Sequence, residues 1–244
     1  MGEGDWELRE EGGIRWLQAP VGTGSAYFTL ASTGDGGRVN LAVSPDGPEA
    51  ATEARLTMAR AIGLSPERFR LVRQVHGGTI RETGGEGVAL RGDLLPAREP
   101  EYEADGLVSR GHDEVLMVLV ADCMPLALSG QGGFALLHLG WRGLATGMLE
   151  EAVATVEASY AVGGPCIGPC CFEVGAEVGQ ALGVALTTTG TVDLVGVASE
   201  RLRALGVDSM TFVGGCTACE TDRFFSHRRQ GDAAGRQAAL LAGP

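Results

Sequence analysis

The chain has 244 residues, 44% of them hydrophobic, enough to bury a substantial core without disulfide support. Its 19 basic residues stand against 31 acidic ones, and the net charge of −12 excludes sequence-independent nucleic-acid binding by clustered cations. All 19 basic residues are arginine, which excludes lysine Schiff-base and P-loop lysine chemistry and leaves bidentate arginine recognition of phosphate or carboxylate, gripped locally.

Taken in chain order, residues 1–24 are expected to be a peripheral segment of a single domain spanning 1–244. They lack the cationic and apolar regions of a secretory signal, and no apolar run is long enough to span a bilayer, so a cytoplasmic protein without a membrane partner is expected. A strand is predicted over 26–31, followed by a loop at Thr33-Gly34-Asp35-Gly36-Gly37. Ala51, Ala54, Leu56, Met58, Ala59 and Ile62 give 48–62 a helical period, stopped by Gly63 and the Ser65-Pro66 step. A strand over 69–75 delivers His76 at its end, 84–100 reads as an exposed excursion, and His112 as a surface turn.

Apolar strands at 115–120 and 126–128 are split by Ala121-Asp122-Cys123-Met124-Pro125, which leaves Cys123 at a break. A strand over 134–139 ends on His138 and runs into Gly140-Trp141-Arg142-Gly143. A helix follows, with Leu144, Met148, Ala152, Val156 and Tyr160 on one face. Further helices are predicted at 172–182, 192–205 and 232–241, with a strand near 210–213. This alternation predicts a layered α/β architecture, a mixed sheet flanked by helices, with chemistry on loops at strand ends.

Two of the four histidines and one cysteine carry the sharpest chemical signal. His76, Cys123 and His138 all fall at predicted strand ends beside glycine, proline or aspartate. Two imidazoles and a thiolate suffice for a catalytic zinc, with a fourth position open for water or substrate. Such an ion lowers the pKa of bound water to about 7. The plainer account is two core histidines and a small buried thiol, unrelated in space. Asp122 either orients a ligand and shuttles a proton or caps its own turn. Gly140-Trp141-Arg142-Gly143 can gather amides and a guanidinium on an anion, although Trp141 fits a core equally well. Phe224-Phe225-Ser226-His227-Arg228-Arg229 can stack a purine on Phe225 and hold an anion, or form a basic loop over a buried ring. Cys216-Thr217-Ala218-Cys219 has the spacing of half a zinc knuckle or of a redox pair, and Cys170-Cys171 offers two more sulfurs for a structural ion.

Read together, Gln74-Val75-His76-Gly77, Ala104-Asp105-Gly106-Leu107-Val108-Ser109, Ala121-Asp122-Cys123-Met124-Pro125, His138-Leu139-Gly140-Trp141-Arg142-Gly143, Ile167-Gly168-Pro169-Cys170-Cys171-Phe172-Glu173-Val174-Gly175 and Phe224-Phe225-Ser226-His227-Arg228-Arg229 closely resemble the YfiH family, over residues 28–241. That family is labelled laccase-domain or polyphenol oxidoreductase and is also described as purine nucleoside phosphorylases. The resemblance implies a single α/β domain with Zn2+ on His76, Cys123 and His138. It also implies phosphorolysis of adenosine, inosine, guanosine or 5′-methylthioadenosine, plus hydrolytic deamination of adenosine, with purine nucleosides and phosphate as partners. Arg55, Arg142 and Arg228 are then the phosphate candidates. One departure stands out: the arginine usual soon after the strand matching Phe28-Thr29-Leu30-Ala31 is missing, and Arg38 is its nearest substitute. Four histidines cannot furnish both a blue-copper centre and a trinuclear cluster, so four-copper oxidase chemistry is rejected. Two rival readings remain open: a hydrolase with Cys123 as nucleophile activated by His76 or His138, and a non-enzymatic, metal-stabilised binding protein.

Overall fold

The computed structural model describes residues 6–43, 46–84, 102–111 and 113–243. The expected excursion beyond Gly84 and the His112 turn lie outside the described residues. Strands are Glu7–Glu11 (β1), Ile14–Val21 (β2), Gly24–Thr29 (β3), Phe69–Arg70 (β4), Ile80–Thr83 (β5), Gly106–Ser109 (β6) and Val115–Val120 (β7). They continue as Met124–Gly130 (β8), Gly133–Leu139 (β9), Ala158–Gly163 (β10), Glu173–Val174 (β11), Gly190–Thr191 (β12), Ser209–Phe212 (β13) and Gln237–Ala242 (β14). Helices are Pro48–Ile62 (α1), Trp141–Ala145 (α2), Met148–Val156 (α3), Ala176–Leu182 (α4), Leu194–Ala204 (α5) and His227–Gln230 (α6).

Apart from the short antiparallel pair β11-β12, the strands form two mixed sheets rather than one, ordered β1-β2-β3-β14-β7-β4 and β13-β10-β8-β9-β6-β5. Most neighbours are antiparallel; β4–β7, β5–β6 and β10–β13 are parallel. Leu17, Phe28, Leu116, Val118, Ala239 and Leu241 of the first sheet meet Ala127, Phe134, Leu136 and Val162 of the second, so the sheets pack face to face. The alternate residues Trp16, Met117 and Leu240 point the other way, onto Met58 and Ala59 of α1. Leu126, Leu128, Leu137 and Ala135 likewise turn from the sheet interface toward Met148, Leu149, Ala152 and Val156 of α3. The result is helix, sheet, sheet, helix, with central strands buried on both faces, which is why they read as continuous apolar runs.

Local signals place α1 where the sequence predicts it: Pro48 opens the first turn, and Gly63 closes the helix at φ 77°, a left-handed conformation that glycine adopts without strain. Four expectations are corrected. Residues 1–24 are not peripheral throughout, because β2 carries the buried Ile14, Trp16, Leu17, Ala19 and Val21 between β1 and β3. The 69–75 strand ends at Arg70, and His76 rides the loop beyond it. The long helix after His138 breaks at Gly147 (φ 83°), and Tyr160 lies in β10, 45% exposed. The second half of the predicted 232–241 helix lies instead in β14, a central strand with all six residues buried. An all-apolar stretch has no periodicity with which to tell a buried strand from a buried helix.

Candidate active site

Each of the three residues singled out in the sequence comes from a different loop or strand end. Cys123 closes the link Ala121-Asp122-Cys123 by which the chain leaves β7 in one sheet and enters β8 in the other. His138 is the penultimate residue of β9, directly across from Pro125 of β8. His76 adopts φ 57° and Asp122 φ 92°, both left-handed conformations that side chains with a Cβ rarely take. Nitrogen and sulfur donors of His76, Cys123 and His138 all lie within 4.8 Å of one another. The two imidazole rings stand edge to face with centroids 4.8 Å apart. A His/Cys/His group of this size can hold a metal ion.

Asp105, fully buried, organises this trio. Its Oδ1 lies 2.9 Å from His138 Nδ1 and accepts the His76 amide at 2.9 Å; its Oδ2 accepts the Gly77 amide at 2.6 Å. One carboxylate thereby fixes the His138 ring, leaving Nε2 for the site, and holds the backbone of His76 in its unusual conformation. Burial opposes ionisation of Asp105, but the bonds from His138 and the Gly77 amide prevail and hold its carboxyl below the usual range. In the sequence Asp105 stands within the Ala104-Asp105-Gly106 phrase, directly before a strand whose residues are all buried, and that position is the one signal of its role.

Burial pushes the Cys123 thiol up, but the adjoining imidazoles, His138 foremost, outweigh it and bring the thiol down to about 6. Burial likewise disfavours the His138 imidazolium, and the Cys123 thiolate and Asp105 reverse this, raising it to about 9. Cys123 is therefore available as a thiolate, the form that binds metal or attacks an electrophile.

These residues form one wall of a cavity of about 780 Å3, within the range of sites that hold drug-sized ligands. Trp141 and Phe172 supply aromatic walls. Arg55, Arg142, Arg228 and Arg236 also line it, against Asp122 and Asp232, so the cavity is locally cationic in an acidic chain. The predicted site residues divide as follows. Arg142 is exposed, and its guanidinium lies 4.6 Å from the Trp141 ring centroid, with no hydrogen bond or ion pair among the described residues. Arg55 is buried and donates from Nε to the Leu41 carbonyl at 2.9 Å. Arg228 donates to the carbonyls of Cys171 and Glu173, each at 3.0 Å, and thus braces the wall. Asp122 accepts from Thr217 Oγ1 and from the Arg228 amide, both at 2.6 Å, which favours its turn-capping reading over a proton shuttle.

Phe225 is a correction: it is buried, outside the cavity, and covered by Arg38, whose guanidinium carbon lies 4.4 Å from its ring centroid. Phe172, not Phe225, is the phenylalanine that lines the cavity. Arg38 does not replace the missing arginine either, because it donates to the carbonyls of Thr221 and Phe224 at 2.9 and 3.0 Å.

The family model described as multi-copper polyphenol oxidoreductase laccase matches residues 30–243. The chain belongs to this family. The curated relatives include purine nucleoside phosphorylase YfiH of Escherichia coli (strain K12), 32% identical over 212 residues, 80% of this chain and 82% of that one. Adenosine deaminase RL5, from an unknown prokaryotic organism, is 34% identical over 207 residues, covering 75% of this chain and 78% of the other. The crystal structure of YlmD from Geobacillus stearothermophilus shares the fold, with a TM-score of 0.85 at 24% identity over 98% of this chain and 99% of that one. The family resemblance and the mixed α/β architecture drawn from the sequence are both borne out, and both of these relatives carry the names of nucleoside-processing enzymes. No helix among the described residues is long and apolar enough to cross a membrane.

Close packing at the site yields a prediction. Gly140 has ordinary extended angles, φ −83° and ψ 178°, so alanine is backbone-compatible there, yet its Cβ would fall 2.9 Å from Cys123 Sγ. Gly140→Ala is expected to fold normally and to lose about 10-fold in kcat/KM and metal affinity, as overpacking of 1–3 kcal/mol displaces the sulfur. Steady-state kinetics with metal analysis of the same preparation checks it; unchanged values would show that the sulfur's position is not critical.

Proposed function

We propose that this protein is a zinc-dependent purine nucleoside phosphorylase, acting on adenosine, inosine, guanosine and 5′-methylthioadenosine, that also deaminates adenosine. The observation that carries this reading is the convergence of two imidazoles and a thiolate on the wall of a nucleoside-sized, arginine-lined cavity. The donor set fits zinc: nitrogen and thiolate ligands, three in number, at a spacing compatible with a tetrahedral ion. Bound by His76, Cys123 and His138, zinc supplies a Lewis acid and an activated water.

The protein's own groups perform the remaining work. Trp141 and Phe172 hold the purine by its faces. Arg142, whose guanidinium makes no hydrogen bond among the described residues, offers its fork to phosphate, and Arg55 adds positive potential from within the lining. Phosphate attacks ribose C1′, the bond from C1′ to N9 breaks, and the purine leaves with a proton. Asp122 positions Arg228 and Thr217 rather than touching the substrate.

A second reading keeps specific support: Asp105, His138 and Cys123 lie in series, the order of a cysteine hydrolase triad, with the thiol already poised for ionisation. Near-stoichiometric zinc that survives dialysis favours the first reading; metal-free, active protein with rapidly alkylated Cys123 favours the second.

The deciding assay is incubation of metal-replete protein with adenosine, with and without phosphate, followed by chromatography. Adenine and ribose 1-phosphate are expected only with phosphate, and inosine in both samples. Absence of all three products would overturn the proposal.

A further inference from the structure

Two tight turns, one in the chain beyond β10 and one in the chain beyond β13, bring four cysteines together. One runs through Gly168 and closes with the Cys171 amide on the Gly168 carbonyl at 2.9 Å; it presents Cys170 and Cys171. The other closes with the Cys219 and Glu220 amides on the Cys216 carbonyl, at 3.1 and 2.9 Å, and presents Cys216 and Cys219. All four thiols are free, and their sulfurs lie within 4.8 Å of one another. The Cys219 sulfur is 3.3 Å from Cys171 and 3.5 Å from Cys170. A tetrahedral ion with metal–sulfur bonds of about 2.3 Å needs sulfur–sulfur edges of about 3.8 Å.

Packing alone does not account for this arrangement, because Cys171 and Cys216 rest against the core but Cys170 and Cys219 do not. Cys170 and Cys219 are exposed and Cys171 and Cys216 only half-buried, whereas nearby Cys166 is buried and joins the core as an ordinary small apolar residue. A second observation concerns the backbone: the Gly168 amide of the first turn donates to Cys216 Sγ of the second at 3.2 Å. The two turns are thereby already joined at a sulfur, with the thiols facing one another.

We infer that Cys170, Cys171, Cys216 and Cys219 form a second metal site, a tetrathiolate cage for zinc(II) separate from His76, Cys123 and His138. Four soft, anionic ligands with no imidazole or water select a structural, closed site, and loading it releases the thiol protons to solvent. The cage cross-links the turn that leads into the cavity-lining Phe172 to the turn that holds Asp122 through Thr217. Phe172 follows Cys171 directly and lines the cavity. Thr217, between two of the ligands, carries the hydroxyl that bonds Asp122. The carbonyl of Cys171 anchors Arg228. The ion thereby holds the aromatic wall and the Asp122 turn in register from behind.

Elemental analysis of the full-length protein, purified without chelator, tests this directly. Wild type is expected to carry about two zinc ions per chain, and both Cys123→Ser and the double variant Cys216→Ser/Cys219→Ser about one each. The double variant is also expected to raise KM several-fold more than it lowers kcat, as a loosened wall would. A Cys123→Ser protein without metal, or a double variant with wild-type metal content, overturns the assignment. Should the double variant fail to fold, cobalt(II)-substituted Cys123→Ser protein decides the matter. Intense sulfur-to-cobalt charge-transfer bands of a four-thiolate tetrahedral centre are expected, and their absence, with four thiols reacting at once toward a disulfide reagent, overturns it.

Discussion

Cys123→Ser is expected to leave the fold intact, empty the His76/His138 site of metal and reduce kcat/KM by about 1,000-fold or more, roughly 4 kcal/mol of transition-state stabilisation. The substitution replaces sulfur with a smaller oxygen in a position where Gly140 already leaves little space, so packing is barely disturbed. What changes is ionisation. Two imidazoles bring the thiol down to about 6, whereas a serine hydroxyl stays protonated and ligates poorly. Metal analysis, kinetics and a thermal melt of one preparation check this. Activity within 10-fold of wild type at full metal content would remove Cys123 from the chemistry altogether.

Asp105→Asn should weaken metal binding at the same site by about 10- to 100-fold, with kcat/KM falling in parallel, although Asp105 touches neither metal nor substrate. The reason is donor counting. The carboxylate accepts from His138 Nδ1 and from the His76 and Gly77 amides, with a longer contact from Val75 at 3.4 Å. An asparagine presents one oxygen and one NH2 to these donors, so at least one buried N–H goes unpaired at about 1–3 kcal/mol. Both the His138 ring and the left-handed His76 backbone lose their anchor. Because folding lowers the Asp105 pKa, its stabilisation is present above the ordinary carboxylate range and lost as pH falls through the lowered value. The wild type should thus lose metal and melting temperature together in acid, and Asp105→Asn should flatten that dependence. Competition with a chromogenic chelator across pH measures it; equal affinities would reduce Asp105 to a packing residue.

Much of this was legible in the chain because the signals were local. Pro48 and Gly63 bracket α1, and glycine, proline and aspartate flank the three site residues at breaks between apolar strands. The family phrases supplied what spacing could not, since Cys123 lies far along the chain from His76. Other features had no local signature. Which strands share a sheet depends on register and packing, so one expected sheet became two. Phe225 and Phe172 are both aromatic beside family motifs, and only tertiary position puts Arg38 over one and opens the cavity to the other. Arg228 reads as a phosphate ligand until its guanidinium is seen bracing two carbonyls.

The placement of β14 bears on how the molecule is made. Ala239 pairs with Phe28 on one side and Val118 on the other, so a strand from the last tenth of the sequence bridges two that are synthesised much earlier. Until it arrives, β3 and β7 present open, apolar edges to each other and to neighbouring chains. Nascent or truncated polypeptides ending before Gln237 would be sticky intermediates, held in solution by chaperones or lost to aggregation.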